Sequence, residues 1–269
     1  MSSSTACACS PAAPESCATS VSAEPGPRPR AMLAWRGGKD AACALHTLRR
    51  RGGVEVVGLL ATVTGDEARS SMQWVRVDVL RAQAAAAGLP LLESRIPPGC
   101  DNARYEAALA DALATARARW PGIDGIAFGD LLLADIRAWR EALCERLGWS
   151  ALFPLFDADT AGLARDMLAG GLRAALCCVD TEQLDAAFAG RGFDAALLDA
   201  LPAAVDPCGE RGEFHTCVSD GPMFAAPLAL ERGGTVLRDG RFACTDFRLA
   251  DRGAARRGSS RGPRPRTPA

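Results

Sequence analysis

No stretch of this sequence is apolar for long enough to cross a membrane as a helix. The first thirty residues are rich in Ser, Ala and Pro, but they lack the basic start and the continuous apolar segment of a secretory signal. These absences argue against a membrane protein and against a secreted one, so we expect a cytoplasmic protein without a membrane partner. With 269 residues, of which 48% are hydrophobic and 23% charged, the chain can bury a large core.

The sequence also lacks the C-x-x-C motif of zinc and redox sites, although it contains eleven cysteines. Their number is odd and they are scattered, so we interpret most of them as small apolar core residues. Cys208, His215 and Cys217 are a minor candidate for metal binding, since their spacing matches no zinc pattern and a fourth ligand is missing.

Two common phosphate-binding motifs are absent around the octet Trp35–Ala42. A Walker A loop is excluded because Leu33 and Asp40 occupy positions that require glycine and Ser or Thr, and G-x-G-x-x-G fails for want of a third glycine. The middle of the octet fits S-G-G-x-D-S, with Arg36 and Ala41 in place of the two serines.

The octet lies between an apolar segment that predicts a strand and an alanine-rich segment that predicts a helix. Gly37 and Gly38 let the backbone approach an oxyanion closely, the first N–H groups of a helix are unpaired, and Lys39 adds positive charge. The junction therefore predicts a phosphate-binding loop. An ordinary strand-to-helix turn with solvated Lys39 and Asp40 is the alternative.

Strands and helices alternate up to about residue 150, which predicts an α/β fold with a doubly wound parallel sheet. Asn102 is expected to cap the helix that follows Pro97-Pro98-Gly99. Ligands bind at the carboxyl ends of the strands in such sheets. We therefore expect residues 36–40, Thr62 to Thr64 and Gly129-Asp130 to lie on one rim.

The pattern changes beyond Ser150 to a smaller α+β unit, with strands expected at 213–219, 227–231, 235–238 and 241–248. Asp239-Gly240 predicts a hairpin turn. The expected organisation is a disordered leader (1–30), a nucleotide-binding domain (31–150), a C-terminal domain (151–249) and a disordered tail (250–269).

The tail holds six arginines and one aspartate after Leu249, a net charge of +5. Such a tail can contact nucleic acid, but it is more often only a soluble end, so we do not expect a nucleic-acid partner.

A second polar patch runs from Pro207 to Thr216, with two glutamates, two glycines and one of only two histidines in the chain. A glycine-rich turn entering a strand, with Glu210 exposed and His215 hydrogen-bonded in place, would also explain this composition. By itself the patch slightly favours that structural interpretation.

Taken together, the motifs resemble those of the ATP-binding proteins related to diphthine–ammonia ligase. This family is a branch of the PP-loop ATP pyrophosphatases, within the adenine nucleotide alpha hydrolase-like (HUP) superfamily with a Rossmann-like sheet. The resemblance covers about residues 31–249. It rests on W-R-G-G-K-D at 35–40, A-F-G-D at 127–130 with D-I-R-A-W-R-E at 135–141, L-F-P-L-F at 152–156, and C-G-E-R-G-E-F-H-T at 208–216 with D-G-P at 220–222.

The resemblance implies an ATP-dependent ligase that uses ATP and Mg²⁺, adenylates a carboxylate, and amidates it with free ammonia. Residues implied in ATP binding are Arg36, Gly37, Gly38, Lys39, Asp40, Thr62, Gly129 and Asp130, with Asp40 as the Mg²⁺ ligand. Residues implied in substrate binding are Gly209, Glu210, Gly212, Glu213, His215 and Thr216. Residues implied in catalysis are Lys39, Asp40, Glu210, Glu213 and His215. The acceptor is diphthine-like, a small carboxylate or another protein.

The loss of two serines favours one alternative, an adenine-nucleotide-binding protein without catalysis. Each missing hydroxyl removes a hydrogen bond to a charged phosphate, worth on the order of 1.5–3 kcal/mol. Arg36 is expected to compensate through a bidentate grip on phosphate. Sulfur transfer to tRNA is a weaker alternative, because related loops in that class usually come with paired catalytic cysteines and only Cys177-Cys178 is adjacent.

Overall fold

The computed structural model describes residues 28–64, 69–70 and 74–250. The expected disorder of the leader and of the basic tail falls almost wholly outside these residues. Within the described ranges, no helix combines the length and the apolar character needed to cross a lipid bilayer.

The first half of the chain forms a mostly parallel sheet with the strand order β4-β2-β1-β5-β6, and β3 pairs antiparallel with the end of β2. The strands are β1 (Arg30–Ala34), β2 (Glu55–Thr64), β3 (Arg69–Ser70), β4 (Leu91–Ile96), β5 (Gly125–Ala127) and β6 (Ser150–Leu152). The connecting helices are α1 (Lys39–Arg51), α2 (Val77–Ala86), α3 (Asn102–Arg119) and α4 (Ala134–Arg146). The prediction of a doubly wound α/β sheet is confirmed.

Burial explains why these segments adopt their elements. β2 is buried along most of its length, as expected for a strand with layers on both faces. Helix α1 buries Ala42, Leu45 and Leu48 on one face and ends at Gly52, which has the left-handed conformation. Two hydrophobic clusters form the core, and the larger one extends from the first sheet into the second.

The expected cap of α3 is one residue off. Asp101 is the N-cap, since its carboxylate accepts a hydrogen bond from the backbone N–H of Arg104 at 2.9 Å, whereas Asn102 is the first helical residue. Both residue types cap well, and the aspartate precedes the first turn.

The second half forms an antiparallel sheet in the order β10-β11-β7-β8, with β9 on the other side of β7. Its strands are β7 (Arg173–Asp180), β8 (Gly192–Phe193), β9 (Phe214–Asp220), β10 (Leu230–Arg238) and β11 (Phe242–Leu249). Its helices are α5 (Thr160–Ala169) and α6 (Ala195–Ala200), with a short 3₁₀ turn at Ala186–Phe188. The expected second α+β unit is confirmed.

Two details of the last hairpin can be compared with the sequence. The strands expected at 227–231 and 235–238 are one strand, because the pairing of β10 continues across an irregularity at Gly233-Gly234. Asp239 and Gly240 both have positive φ, 50° and 66°, and the N–H of Arg241 closes the turn by donating to the carbonyl oxygen of Arg238 at 2.9 Å. The predicted turn is therefore confirmed.

Candidate functional site

A cavity of about 650 Å³ lies at the carboxyl ends of β1, β2 and β5, and residues 209–212 and 214–216 also line it. After β1 the chain adds β2 and β4 on one side of β1, and it then adds β5 and β6 on the other side. The point between β1 and β5 is therefore the topological switch point, where α/β sheets bind ligands. The predicted site residues that line the cavity are Arg36, Asp40, Thr62, Gly129, Asp130, Gly209, Glu210, Gly212, His215 and Thr216. The predicted residues that do not line it are Gly37, Gly38, Lys39 and Glu213.

The first turn of α1 faces this cavity with unpaired donors. Gly38 is the N-cap and has no side chain to cap the helix, while the N–H of Lys39 donates to the hydroxyl of Thr216 at 3.0 Å. The N–H groups of Asp40 and Ala41, which both line the cavity, find no acceptor among the described residues. Open N–H groups at a helix N-terminus are a binding site for an anion.

Gly129 lets the loop after β5 lie directly against this turn. A Cβ atom at that position would lie 2.9 Å from the carbonyl carbon of Asp40 and 2.9 Å from the nitrogen of Ala41. Both are backbone atoms of α1, which cannot move aside as a side-chain tip can. Glycine is therefore required where β5 leads into the site.

Gly129→Ala is expected to lower the free energy of unfolding by about 1–3 kcal/mol, because the methyl group overpacks the start of α1. Urea denaturation measures the change. Gly53→Ala is the control, since a Cβ atom there meets no atom within 4 Å. Equal stability of the two variants would contradict the close approach at Gly129.

Lys39 is buried and does not line the cavity. The residue is 1% exposed, and its ammonium donates to both carboxylate oxygens of Asp40 at 2.8 and 3.0 Å and to the carbonyl oxygen of Cys208. Burial is the largest single effect and lowers the pKa of Lys39, but the charge and hydrogen bond of Asp40 together with the charges of Cys208 and Glu210 outweigh it, so the pKa is raised. Lys39 is thus a charged link between α1 and the loop that precedes β9.

Three arginines, Arg36, Arg140 and Arg211, line the cavity. Arg140 of α4 lies 2.6 Å from Asp130 through its Nε atom and stacks over the ring of Phe128 at 4.3 Å. Burial and the charge of Arg140 lower the pKa of Arg36. The proximity of two guanidinium groups favours an anionic ligand, which would relieve their repulsion.

The loop before β9 is held in shape by buried carboxylates. Glu213, which is 2% exposed, accepts from the backbone N–H groups of Asp206 at 2.8 Å and Arg211 at 2.9 Å. Asp206 in turn accepts from the Thr160 hydroxyl at 2.7 Å and from the Cys208 N–H at 2.8 Å. The carboxylate of Glu213 therefore shapes the loop from the inside.

Glu210, in contrast, reaches across to the first domain. Its Oε1 atom accepts from the N–H groups of Leu131 at 2.8 Å and Leu132 at 3.3 Å, in the loop that follows β5. Burial raises the pKa of Glu210 above its usual value, and the hydrogen bond from Leu131 opposes this shift. A carboxylate with a raised pKa in a cavity is suited to proton transfer.

His215 lies on β9 and lines the same cavity. Burial first, and then the charges of Arg36 and Lys39, lower the pKa of its imidazole to about 3. The ring is therefore neutral near pH 7, beside two cations.

The described residues contain no cluster of three or more His, Cys, Asp or Glu side chains able to hold a metal ion. Within the Cys208, His215 and Cys217 group, the thiol of Cys208 donates to the carbonyl oxygen of Thr160 at 3.4 Å. Six of the eight described cysteines are buried, which agrees with their interpretation as core residues.

Sequence reasoning gave no role to several residues that the structure places at the site. Three aromatic residues, Phe128, Tyr105 and Trp139, form one wall of the cavity. The ring centroids of Tyr105 and Trp139 are 5.9 Å apart. Trp139 and Arg140 belong to the D-I-R-A-W-R-E motif at 135–141, so the motif itself could have indicated that they lie at the site. Asp206 and Thr160 gave no such signal, because their contact joins residues 46 positions apart.

Comparison with known proteins agrees with both halves of the structure. The family model of the diphthamide synthase N-terminal domain matches residues 29–151, and that of the diphthamide synthase C-terminal domain matches residues 159–237. A diphthine–ammonia ligase from Schizosaccharomyces pombe is 32% identical over 115 residues, and the match covers 41% of this chain. One from Danio rerio is 31% identical over 138 residues, which cover 46% of this chain.

The chain spans only part of these relatives, 19% of the length of the yeast protein and 51% of that of the fish protein. The two domain models nevertheless follow one another in order and together reach from residue 29 to residue 237. The chain therefore belongs to the diphthine–ammonia ligase-like family.

Proposed function

We propose that the cavity binds ATP and that the protein is an AMP-forming ligase, which adenylates a carboxylate and amidates it with ammonia. The observation that carries the proposal is the open first turn of α1, which faces a cavity also lined by Arg36 and Arg140. A helix N-terminus with two guanidinium groups matches a triphosphate. The curated relatives are named for diphthine and ammonia, and we extend that class of reaction to this chain.

In the proposed complex, the phosphates lie against the N–H groups of Asp40 and Ala41, with Gly129 and Asp130 beside them. Gly37 and Gly38 shape the loop from behind, and Thr62 lies beside the nucleoside at the end of β2. Lys39 acts indirectly, by fixing Asp40 and the loop before β9.

The proposed reaction has two steps. An oxygen of the acceptor carboxylate attacks the α-phosphorus, the bond to the β-phosphate oxygen breaks, and pyrophosphate leaves. Ammonia then attacks the acyl carbon, loses a proton, and expels AMP to leave the amide. Orientation of the reactants and neutralisation of phosphate charge would supply most of the acceleration.

Residues of the second domain would face the acceptor and ammonia. Glu210 has a raised pKa, and its Oε2 atom makes no hydrogen bond within the described residues, so it is suited to take the proton from ammonium. Neutral His215 would donate a hydrogen bond to the reacting groups, and Thr216 holds Lys39. Gly209 and Gly212, both with positive φ, shape the substrate loop that Glu213 supports.

The residues fit a Mg²⁺ ion that is held mainly by the phosphates, as is usual for ATP. Asp40, on the cavity wall, is the residue that would hold it, although both of its oxygens accept from Lys39. When bound, the ion would neutralise charge on the phosphate oxygens.

Carboxylate-dependent exchange of labelled pyrophosphate into ATP tests the first step without ammonia. We expect exchange with ATP, Mg²⁺ and an accepted carboxylate, and AMP release only when ammonia is added. If ATP binds but no exchange occurs across a broad panel of small carboxylates and peptide acceptors, the protein is the nucleotide-binding protein without catalysis. No binding of ATP in calorimetry would overturn the proposal as a whole.

His215 provides a spectroscopic test of nucleotide binding. In the free protein its NMR signal is expected to stay that of a neutral ring down to pH 5, because its pKa is about 3. ATP should raise this pKa, since the triphosphate offsets the charges of Arg36 and Lys39. The only other histidine is His46, so a His46→Gln variant assigns the signals. Titration of His215 near pH 6.5 in the free protein would contradict the described surroundings.

A further inference from the structure

Gln83 of α2 is fully buried and makes three hydrogen bonds with its side-chain amide. Its Oε1 accepts from the indole N–H of Trp35 at 3.0 Å. Its Nε2 donates to the carbonyl oxygen of Gly37 at 3.1 Å and to that of Val218 at 2.7 Å. The side-chain amide of Gln83 thus uses its acceptor and both of its donors. Its partners come from two other parts of the chain, one around residues 35–37 and one at Val218.

These partners belong to two of the segments that build the site. Trp35 and Gly37 lie in the glycine loop, residues 35–38, which joins β1 to α1. Val218 lies on β9, which also carries His215 and Thr216. The N–H of Val218 donates to the same Gly37 carbonyl at 2.9 Å. Gln83 therefore completes a junction between the loop and β9.

Gly37 is fitted to Gln83 sterically as well. It has a φ of 85°, and a Cβ atom there would lie 2.9 Å from Oε1 of Gln83 and 2.8 Å from a methyl carbon of Leu80. The loop can follow its path only with glycine at this position and with a side chain that supplies donors behind it.

We propose that Gln83 is a positioning residue, which sets the glycine loop and β9 at the distance that nucleotide binding requires. The proposal rests on the function proposed above. Gln83 does not line the cavity, so it acts through Gly37, and through β9 on His215 and Thr216.

Only an amide satisfies all three partners. Leucine removes every hydrogen bond and leaves buried polar groups unpaired. Glutamate keeps the acceptor for Trp35, but as a carboxylate it has no donor for Gly37 or Val218. A protonated glutamate regains one donor, and burial without a cation raises its pKa.

We expect Gln83→Glu to bind ATP more than about tenfold more weakly than wild type at pH 8, the equivalent of one lost buried hydrogen bond or more. Lowering the pH to 6 should restore part of the difference. Gln83→Leu should bind weakly at both values. Calorimetry at the two pH values measures this, with thermal unfolding as a check on folding, and Gln183→Leu, at an exposed glutamine, as the control.

A purely structural role would lower the stability of Gln83→Glu without a pH-dependent recovery of ATP affinity relative to wild type, and this outcome would overturn the proposal. Failure of the proposed function is distinguishable, because wild type itself would then not bind ATP. In that case the NMR signal of the Trp35 indole N–H still reports the junction. It should move upfield and lose protection from hydrogen exchange in Gln83→Leu, and an unchanged signal would again reject the role of Gln83.

Discussion

Lys39→Met is expected to lower the free energy of unfolding by about 3–5 kcal/mol, because it leaves the partners of a buried ammonium uncompensated. Asp40 loses the cation that contacts both of its oxygens, and the carbonyl oxygen of Cys208 loses a donor. Denaturant unfolding followed by circular dichroism measures the loss.

The composition of the chain makes this position distinctive. Lys39 is the only lysine of the chain, and every other basic residue apart from the two histidines is an arginine. A compact ammonium fits between Asp40, the Cys208 carbonyl and the rings of Phe193 and Phe214, where a planar guanidinium would need more room. Lys39→Arg is therefore expected to restore only part of the stability.

Arg165→Met, which removes an exposed cation on α5, is the matched control and should change stability by less than about 0.5 kcal/mol. Lys39→Met combined with Asp40→Asn should recover part of the loss, since the unpaired carboxylate is removed. If Lys39→Met folds as stably as wild type but fails to bind ATP, the lysine contacts phosphate directly and its role in joining the two domains is wrong.

Local sequence patterns were sufficient to predict the layout of the fold. The alternation of apolar runs with helical spacing gave the parallel sheet, and the position of Gly37-Gly38 after the first strand gave the site its place at the switch point. The dense patch at 207–216 is brought to the same cavity by β9. Each of these features depends on neighbours in the chain, which sequence patterns report well.

The direction of individual side chains could not be predicted in this way. Lys39 and Glu213 are charged residues in polar motifs, and we expected both to face the ligand, yet both are buried and bind backbone groups. The Cys208 carbonyl that Lys39 contacts is 169 positions away in sequence. The N–H groups that Glu213 accepts from belong to a loop whose shape the sequence does not show. The contacts of Arg140 and Gln83 likewise depend on how α4 and α2 pack against the rest of the fold, which a single sequence does not reveal.

Arg36→Ala is expected to weaken the binding of MgATP by about 10- to 100-fold, because a charge-assisted hydrogen bond to phosphate is worth roughly 1.5–3 kcal/mol. Arg36 lines the cavity, where burial and the charge of Arg140 lower its pKa, and a polyanion would relieve the repulsion between the two cations. Removal of this cation should also make binding less sensitive to salt. Calorimetric titrations at two ionic strengths measure both effects.

The same position tests whether an arginine replaces the two serines of the S-G-G-x-D-S pattern. If it does, Arg36→Ser combined with Ala41→Ser should bind ATP more tightly than Arg36→Ala, since two hydroxyl groups return to the loop. Arg165→Ala is the control for the loss of a cation away from the cavity, and it should bind as wild type does. Unchanged affinity in Arg36→Ala would reject compensation and would leave the first turn of α1 with Arg140 as the anion site.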